Sequence, residues 1–109
     1  MRAVWDKPAA LMLDRRDRFT RPAIEAEFEE YLAEEPRLFE RSIEFDPDNQ
    51  GYLTPVFDDR FSVIWYREPD HLVIHAVVPT ARFTRGSTGL KSRVEEIVRQ
   101  ASDDRIKLR

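Results

Sequence analysis

Three apolar runs in close succession constrain this chain more than any other feature. Tyr52–Phe57, Phe61–Tyr66 and Leu72–Val78 are separated only by Asp58-Asp59-Arg60 and by Arg67-Glu68-Pro69-Asp70-His71. Connections that short join antiparallel neighbours, whereas a parallel crossover needs about a dozen residues or more. The middle run alternates: Phe61, Val63 and Trp65 share one face, and Ser62, Ile64 and Tyr66 the other. The last run, LVIHAVV, is apolar on both faces, as a central strand is. Pro55 has no N–H to give a ladder and suits an edge or irregular strand. The stretch predicts an antiparallel meander of three strands.

Helical signals surround it. Arg2–Trp5 reads as a short first strand. Asp6 and Pro8 then open a helix over about residues 8–18, since Asp caps and Pro is tolerated in a first turn. Thr20-Arg21-Pro22 restarts the chain in the same way. Ile24, Phe28, Tyr31 and Leu32 fall at i, i+4, i+7 and i+8, one apolar stripe with most of the glutamates off it. Pro36 ends this helix or starts a last loose turn holding Leu38 and Phe39. FDPDNQG, Phe45–Gly51, reads as a loop. After Pro79 the chain turns polar through TARFTRGSTG. Ser87 or Thr88 then caps a final helix over about residues 89–101, with Leu90, Val94, Ile97, Val98 and Ala101 on one side, or Ser92 and Glu95 form a capping box for a later start. The tail SDDRIKLR is expected to fray.

The expected fold is therefore α+β with the order β-α-α-β-β-β, a helical hairpin packed on the meander, plus a C-terminal helix. A chain of 109 residues supports one core, so the expectation is a single domain over 1–109, with a core at 2–83 and an extension at 84–109. Its 41% hydrophobic content excludes a disordered chain. There is no cysteine, hence no disulfide framework and no thiolate chemistry. The apolar run Ala9–Leu13 is too short for a signal sequence or a membrane span, which reads as a cytoplasmic protein with no membrane association.

The net charge of -3 argues against a general nucleic-acid binder, but the charge is uneven. Residues 1–50 carry 8 basic and 13 acidic side chains, and residues 79–109 carry 8 and 4. Within the latter, Arg82, Arg85, Lys91 and Arg93 precede any acid. Neither a metal nor a cofactor is expected. FDPDNQG lacks the alternating acids of a calcium loop. His71 and His75 lie about 13 Å apart on an extended strand, too far for two bonds of about 2 Å to one zinc.

The opening AVWDKPA, the helix AIEAEFEEYLAEEP and above all VFDDRFSVIWYREPDHLVIHAVV, taken in that order, resemble the plan of the RelE/ParE superfamily of bacterial toxin–antitoxin modules over residues 2–83. The resemblance implies a growth-inhibiting toxin with a cognate antitoxin as partner. It implies either ribosome-dependent mRNA cleavage, as in RelE, or gyrase poisoning, as in ParE. RNA cleavage of this type needs cations against the scissile phosphate and a group that activates the 2′-hydroxyl. The family's nucleases place a basic residue in the middle strand and His, Arg or Tyr just after the last strand. Here Ser62 stands where that arginine is expected and Trp65 where a tyrosine is. Arg60, two residues earlier, shares the face of Ser62 if the strand is regular, and so is the substitute to test. Pro79 and Thr80 fill the later positions, with Arg82 and Arg85 slightly beyond.

Arg60, Arg82 and Arg85 are thus the candidate catalytic or phosphate-contacting residues, and Tyr66, Lys91 and Arg93 the candidate partner or nucleic-acid contacts. Each has a plainer reading: surface arginines for the first set, and a solvated helix start for Lys91 and Arg93. His75 reads as a neutral packed imidazole, and Asp58 and Asp59 as turn residues. The incomplete nuclease set favours ParE-like, non-nucleolytic action, or a protein that has lost the toxin's chemistry. The competing function is a non-catalytic protein–protein interaction module, with the stripe of the C-terminal helix covering its own sheet, a partner, or a second copy in a homodimer.

Overall fold

The computed structural model describes residues 2–6, 9, 19–83 and 89–107. Its elements are β1 (Arg2–Trp5), α1 (Thr20–Ala33), α2 (Glu35–Arg41), β2 (Ile43–Asp46), a 3-10 turn at Pro47–Asn49, β3 (Gly51–Val56), β4 (Phe61–Arg67), β5 (His71–Pro79), a second 3-10 turn at Thr80–Phe83, and α3 (Leu90–Lys107). The fold is α+β: among the described residues, three helices lie around one five-stranded mixed sheet. The helix expected over residues 8–18 lies outside the described residues, apart from the buried Ala9.

The strands run in the order β1-β5-β4-β3-β2. β2 through β5 form an antiparallel meander, and β1 joins β5 in parallel, Val4 opposite Val73. The expected three strands lie where alternation placed them, but the meander has a fourth. Phe45 and Asp46, expected in a loop, form the end of β2, with Glu44 opposite Tyr52 and Asp46 opposite Gly51. β2 pairs β3 only as far as Leu53, so Pro55 sits beyond its reach, on a free edge. The segment around Pro36 is a short helix of its own, and α3 continues to Lys107, into the tail expected to fray.

Each face of the sheet is covered by helix. Ile24, Phe28, Tyr31 and Leu32 of α1 and Leu38 of α2 pack with Val56, Val63, Trp65, Leu72, Ile74 and Val77. Val94 and Ile97 of α3 pack on the opposite face, with Phe45, Leu53, Ile64, Ala76 and Val78. The apolar stripe of α3 is thus spent on its own sheet at these positions. A bulge makes this two-sided burial possible. Ile64 faces Ala76, but Trp65 faces Ile74, so His75 is an extra residue in β5. It lets Ile74 and Val77, three residues apart, serve the same face.

Trp65 lies at the centre, fully buried, stacked 4.6 Å from the Tyr52 ring and edge-on to Phe39 at 5.9 Å. Its indole N–H donates to Thr54 Oγ1 at 2.8 Å. The Thr54 and Ser42 hydroxyls are 2.6 Å apart, and Ser42 Oγ donates to the Leu38 carbonyl at 2.6 Å. A relay in that direction lets each hydroxyl accept one bond and give one, so the polar atoms under α2 are satisfied. A missing partner inside such a core costs about 1–3 kcal/mol.

Candidate functional site

The turn between β3 and β4 carries the first of the candidate arginines, Arg60. Phe57, Asp58 and Asp59 all have left-handed backbone, with φ of 53°, 54° and 62°. Three such residues without glycine need outside support. Glu27 of α1 supplies some, accepting a 2.7 Å hydrogen bond from the Phe57 N–H. Arg41 of α2 supplies more through its ion pair with Asp59. The turn is therefore tied through Asp59 to the end of α2, where Tyr31, Arg37, Glu40 and Arg41 line an open depression of about 470 Å³. Arg37 lies over the Tyr31 ring at 5.2 Å, and Arg60 over the Phe57 ring at 5.6 Å.

Arg60 is exposed and sits in the turn, just before β4 begins. Its guanidinium lies toward the α1–α2 side with Phe57, which packs against that core. Ser62 points to the opposite face, fully buried, with Oγ 2.9 Å from Thr80 Oγ1. Arg60 does not stand in for Ser62, because the strand that was to align them has not yet started. The Arg60 carbonyl accepts a 2.9 Å bond from the Thr80 N–H, which ties the 3-10 turn containing Arg82 to this same end of the sheet. Arg85 lies outside the described residues.

Tyr66 and Lys91 lie elsewhere. Tyr66 is five residues along β4 from Phe61, roughly 17 Å away at strand spacing. Its ring packs edge-on against Phe45 at 5.7 Å and His75 at 4.8 Å. Burial, helped by Asp46 and Glu95, pushes its hydroxyl pKa up, so the phenol stays protonated at neutral pH. Lys91 Nζ is 3.4 Å from Asp46 Oδ1, a buried carboxylate. Asn49 donates to Asp46 from its side chain at 2.9 Å and its backbone at 3.3 Å. The Asn49 side-chain bond is the largest cause holding the Asp46 carboxyl below its ordinary value. Lys91 adds to it and burial opposes it. Lys91 thus fastens the first turn of α3 to the β2–β3 corner. Arg93, two residues on, is exposed.

His75 is half-buried, with Nδ1 3.8 Å from Asp6 Oδ2. Burial lowers its pKa, against the opposing pull of Asp6 and Glu68, so the imidazole is neutral near pH 7. Neutral imidazole is a competent base, but Arg60 and the 3-10 turn containing Arg82 are at the other end of the sheet. Among the described residues no group of three or more His, Cys, Asp or Glu is placed to hold a metal ion. No helix among them is long and apolar enough to cross a membrane.

Sequence reasoning missed Asp46 and Gly51. A Cβ on Gly51 would lie 2.8 Å from Tyr66 Cε1, 2.9 Å from Phe45 Cζ and 3.1 Å from Asp46 Cβ. The signal was there: a glycine in a strand marks a close approach as well as a bend. What the arrangement offers chemically is Arg37 and Arg41 beside Glu40 in one open depression, with Arg41 paired to Asp59 and Arg60 exposed in the adjoining turn. No protein-family model, curated protein or solved structure matches this chain.

Proposed function

We propose that this chain is a RelE/ParE-like toxin of a bacterial toxin–antitoxin module that acts by docking on a protein, in the manner of a gyrase poison, and not by cutting mRNA. The element order supports the family reading: a first strand, helices, then an antiparallel meander whose last strand lies beside the first. One observation carries the choice of mechanism. The position where a nuclease of this family needs a cation is Ser62, buried against Thr80, and Arg60, the arginine that was to substitute for it, faces the other side of the sheet. Ser62 forms a hydroxyl pair with Thr80, in the position where the resemblance expects an arginine. The exposed Arg37, in the depression, and Arg60, in the adjoining turn, suit carboxylates on an acidic partner, since guanidinium pairs with them in a fork.

The test is induced expression in a bacterium, with total mRNA and gyrase supercoiling followed together. The expected result is growth arrest with intact mRNA and impaired supercoiling, relieved by co-expressing a neighbouring small gene. Codon-specific mRNA cuts, slowed about tenfold or more by Arg60→Ala or Arg82→Ala, would establish the nuclease instead, because a lost charge-assisted contact costs about 1.5–3 kcal/mol. Absence of arrest at good protein yield leaves the second reading, a non-catalytic interaction module. That reading is favoured by the exposed Val4 and Ile43, one on each edge strand of the sheet.

A further inference from the structure

We propose that β1 is a self-pairing edge: two copies of this chain join antiparallel along Ala3 and Trp5, with Val4 at the two-fold axis, turning two five-stranded sheets into one of ten strands.

The backbone is set up for it. β1 is the outermost strand on its side of the sheet. The Asp6 N–H donates to the Ile74 carbonyl at 2.9 Å, in a parallel register that runs from Arg2 opposite His71 to Trp5 opposite Ile74. Backbone groups alternate in direction along a strand. Those of Arg2, Val4 and Asp6 therefore turn toward β5, and those of Ala3 and Trp5 turn to the open edge. An antiparallel copy centred on Val4 places each outward pair, Ala3 and Trp5, against Trp5 and Ala3 of the second copy, with both bonds exchanged.

The side chains follow the same symmetry. Ala3 and Trp5 pack toward the α1–α2 core, so Arg2, Val4 and Asp6 share the other face. Val4 is 40% exposed, with Phe19 and Ile43 one of the large apolar side chains left open among the described residues. In the Val4-centred register, Val4 meets Val4 and Arg2 meets Asp6, twice over. These are the non-hydrogen-bonded pairs, where facing Cα atoms come within about 4.5 Å and side chains touch most closely. A register centred on Ala3 or on Trp5 loses the opposite-charge pairs. A closed two-fold contact needs residue i on j and j on i, which the Arg2–Asp6 spacing satisfies. The other edge does not qualify: β2, Ile43–Asp46, holds two acids and no base, so its self-pairing sets like charges together. An edge this short buries less than the roughly 1,200 Å² of a standing complex, so the dimer forms with rising concentration.

The chain lacks cysteine, which makes the register directly readable. Val4→Cys on oxidation is expected to yield a disulfide-linked dimer, since facing Cα atoms at about 4.5 Å fall within disulfide range. Ile43→Cys, on the other edge, is expected to stay monomeric under the same treatment. In sedimentation velocity the wild type is expected to pass from monomer to dimer with concentration. Arg2→Asp raises the midpoint about tenfold, two attractions having become repulsions, and the exchange Arg2→Asp with Asp6→Arg restores it. Arg2 is exposed, and unchanged circular dichroism of Arg2→Asp separates a lost interface from a lost fold. A wild type that stays monomeric with no cross-link in Val4→Cys overturns the proposal. So does a dimer with the same midpoint in Arg2→Asp, or cross-linking through Ile43→Cys in place of Val4→Cys.

Discussion

The two ends of β3 turn through the same kind of backbone and are held in opposite ways. At its start Gln50 is left-handed, with φ of 53°, and at its end so are Phe57, Asp58 and Asp59. The first corner is closed from within: a buried carboxylate takes two bonds from Asn49 and faces Lys91, while Gly51 lets two aromatic rings touch the backbone. The second is closed from outside, by the exposed Arg41–Asp59 pair and by Glu27 on the Phe57 amide. Dense packing fixes the first corner in one arrangement. The second relies on screened charges and keeps its arginines in reach of a partner.

Gly51→Ala should break the contrast hardest. The added methyl collides with Tyr66, Phe45 and Asp46, and overpacking of this kind costs about 1–3 kcal/mol. The denaturant midpoint should fall accordingly, and a midpoint within error of wild type would show that the corner gives way easily. Asp46→Asn comes next, and its signature is in pH. The folded-state pKa of Asp46 lies below its ordinary value of 3.8, so its contribution is present above that value and is lost as pH falls through the lower, folded one. The melting temperature of Asp46→Asn should thus change less with acid than that of wild type; parallel curves would remove Asp46 from the acid response. Asp58→Gly should have the smallest effect and the opposite sign. Relief of a left-handed residue, about 1–2 kcal/mol, exceeds the extra freedom of glycine in the unfolded chain, about 0.5–1 kcal/mol. A modest rise in melting temperature is expected, and a fall would mean that the Asp58 side chain anchors the turn.

The same contrast explains what was legible in the sequence. The strands at Phe61–Arg67 and His71–Pro79 followed from alternation and from connections too short for anything but hairpins. The apolar stripe of α1 named its buried residues, Ile24, Phe28, Tyr31 and Leu32, correctly. β2 was hidden because it is four residues long and runs straight into Asp46-Pro47-Asp48-Asn49, whose turn chemistry outweighs one buried Phe45. The bulge was hidden too, since LVIHAVV is apolar whichever way each side chain points. For the site, residue type told that arginines gather near the turns, but not their direction. The alignment of Arg60 with Ser62 assumed extended backbone at a residue that follows three left-handed ones.

The extra residue in β5 has a consequence for how this chain tolerates changes in length. Along most of a strand, losing a single amino acid swaps the oily and watery sides of everything beyond it. At His75 the opposite holds. Without it, Ile74, Ala76, Val77 and Val78 run straight on against Trp65, Ile64, Val63 and Ser62, each already on its proper side. β5 therefore carries its own expansion joint, midway between the helices it must satisfy.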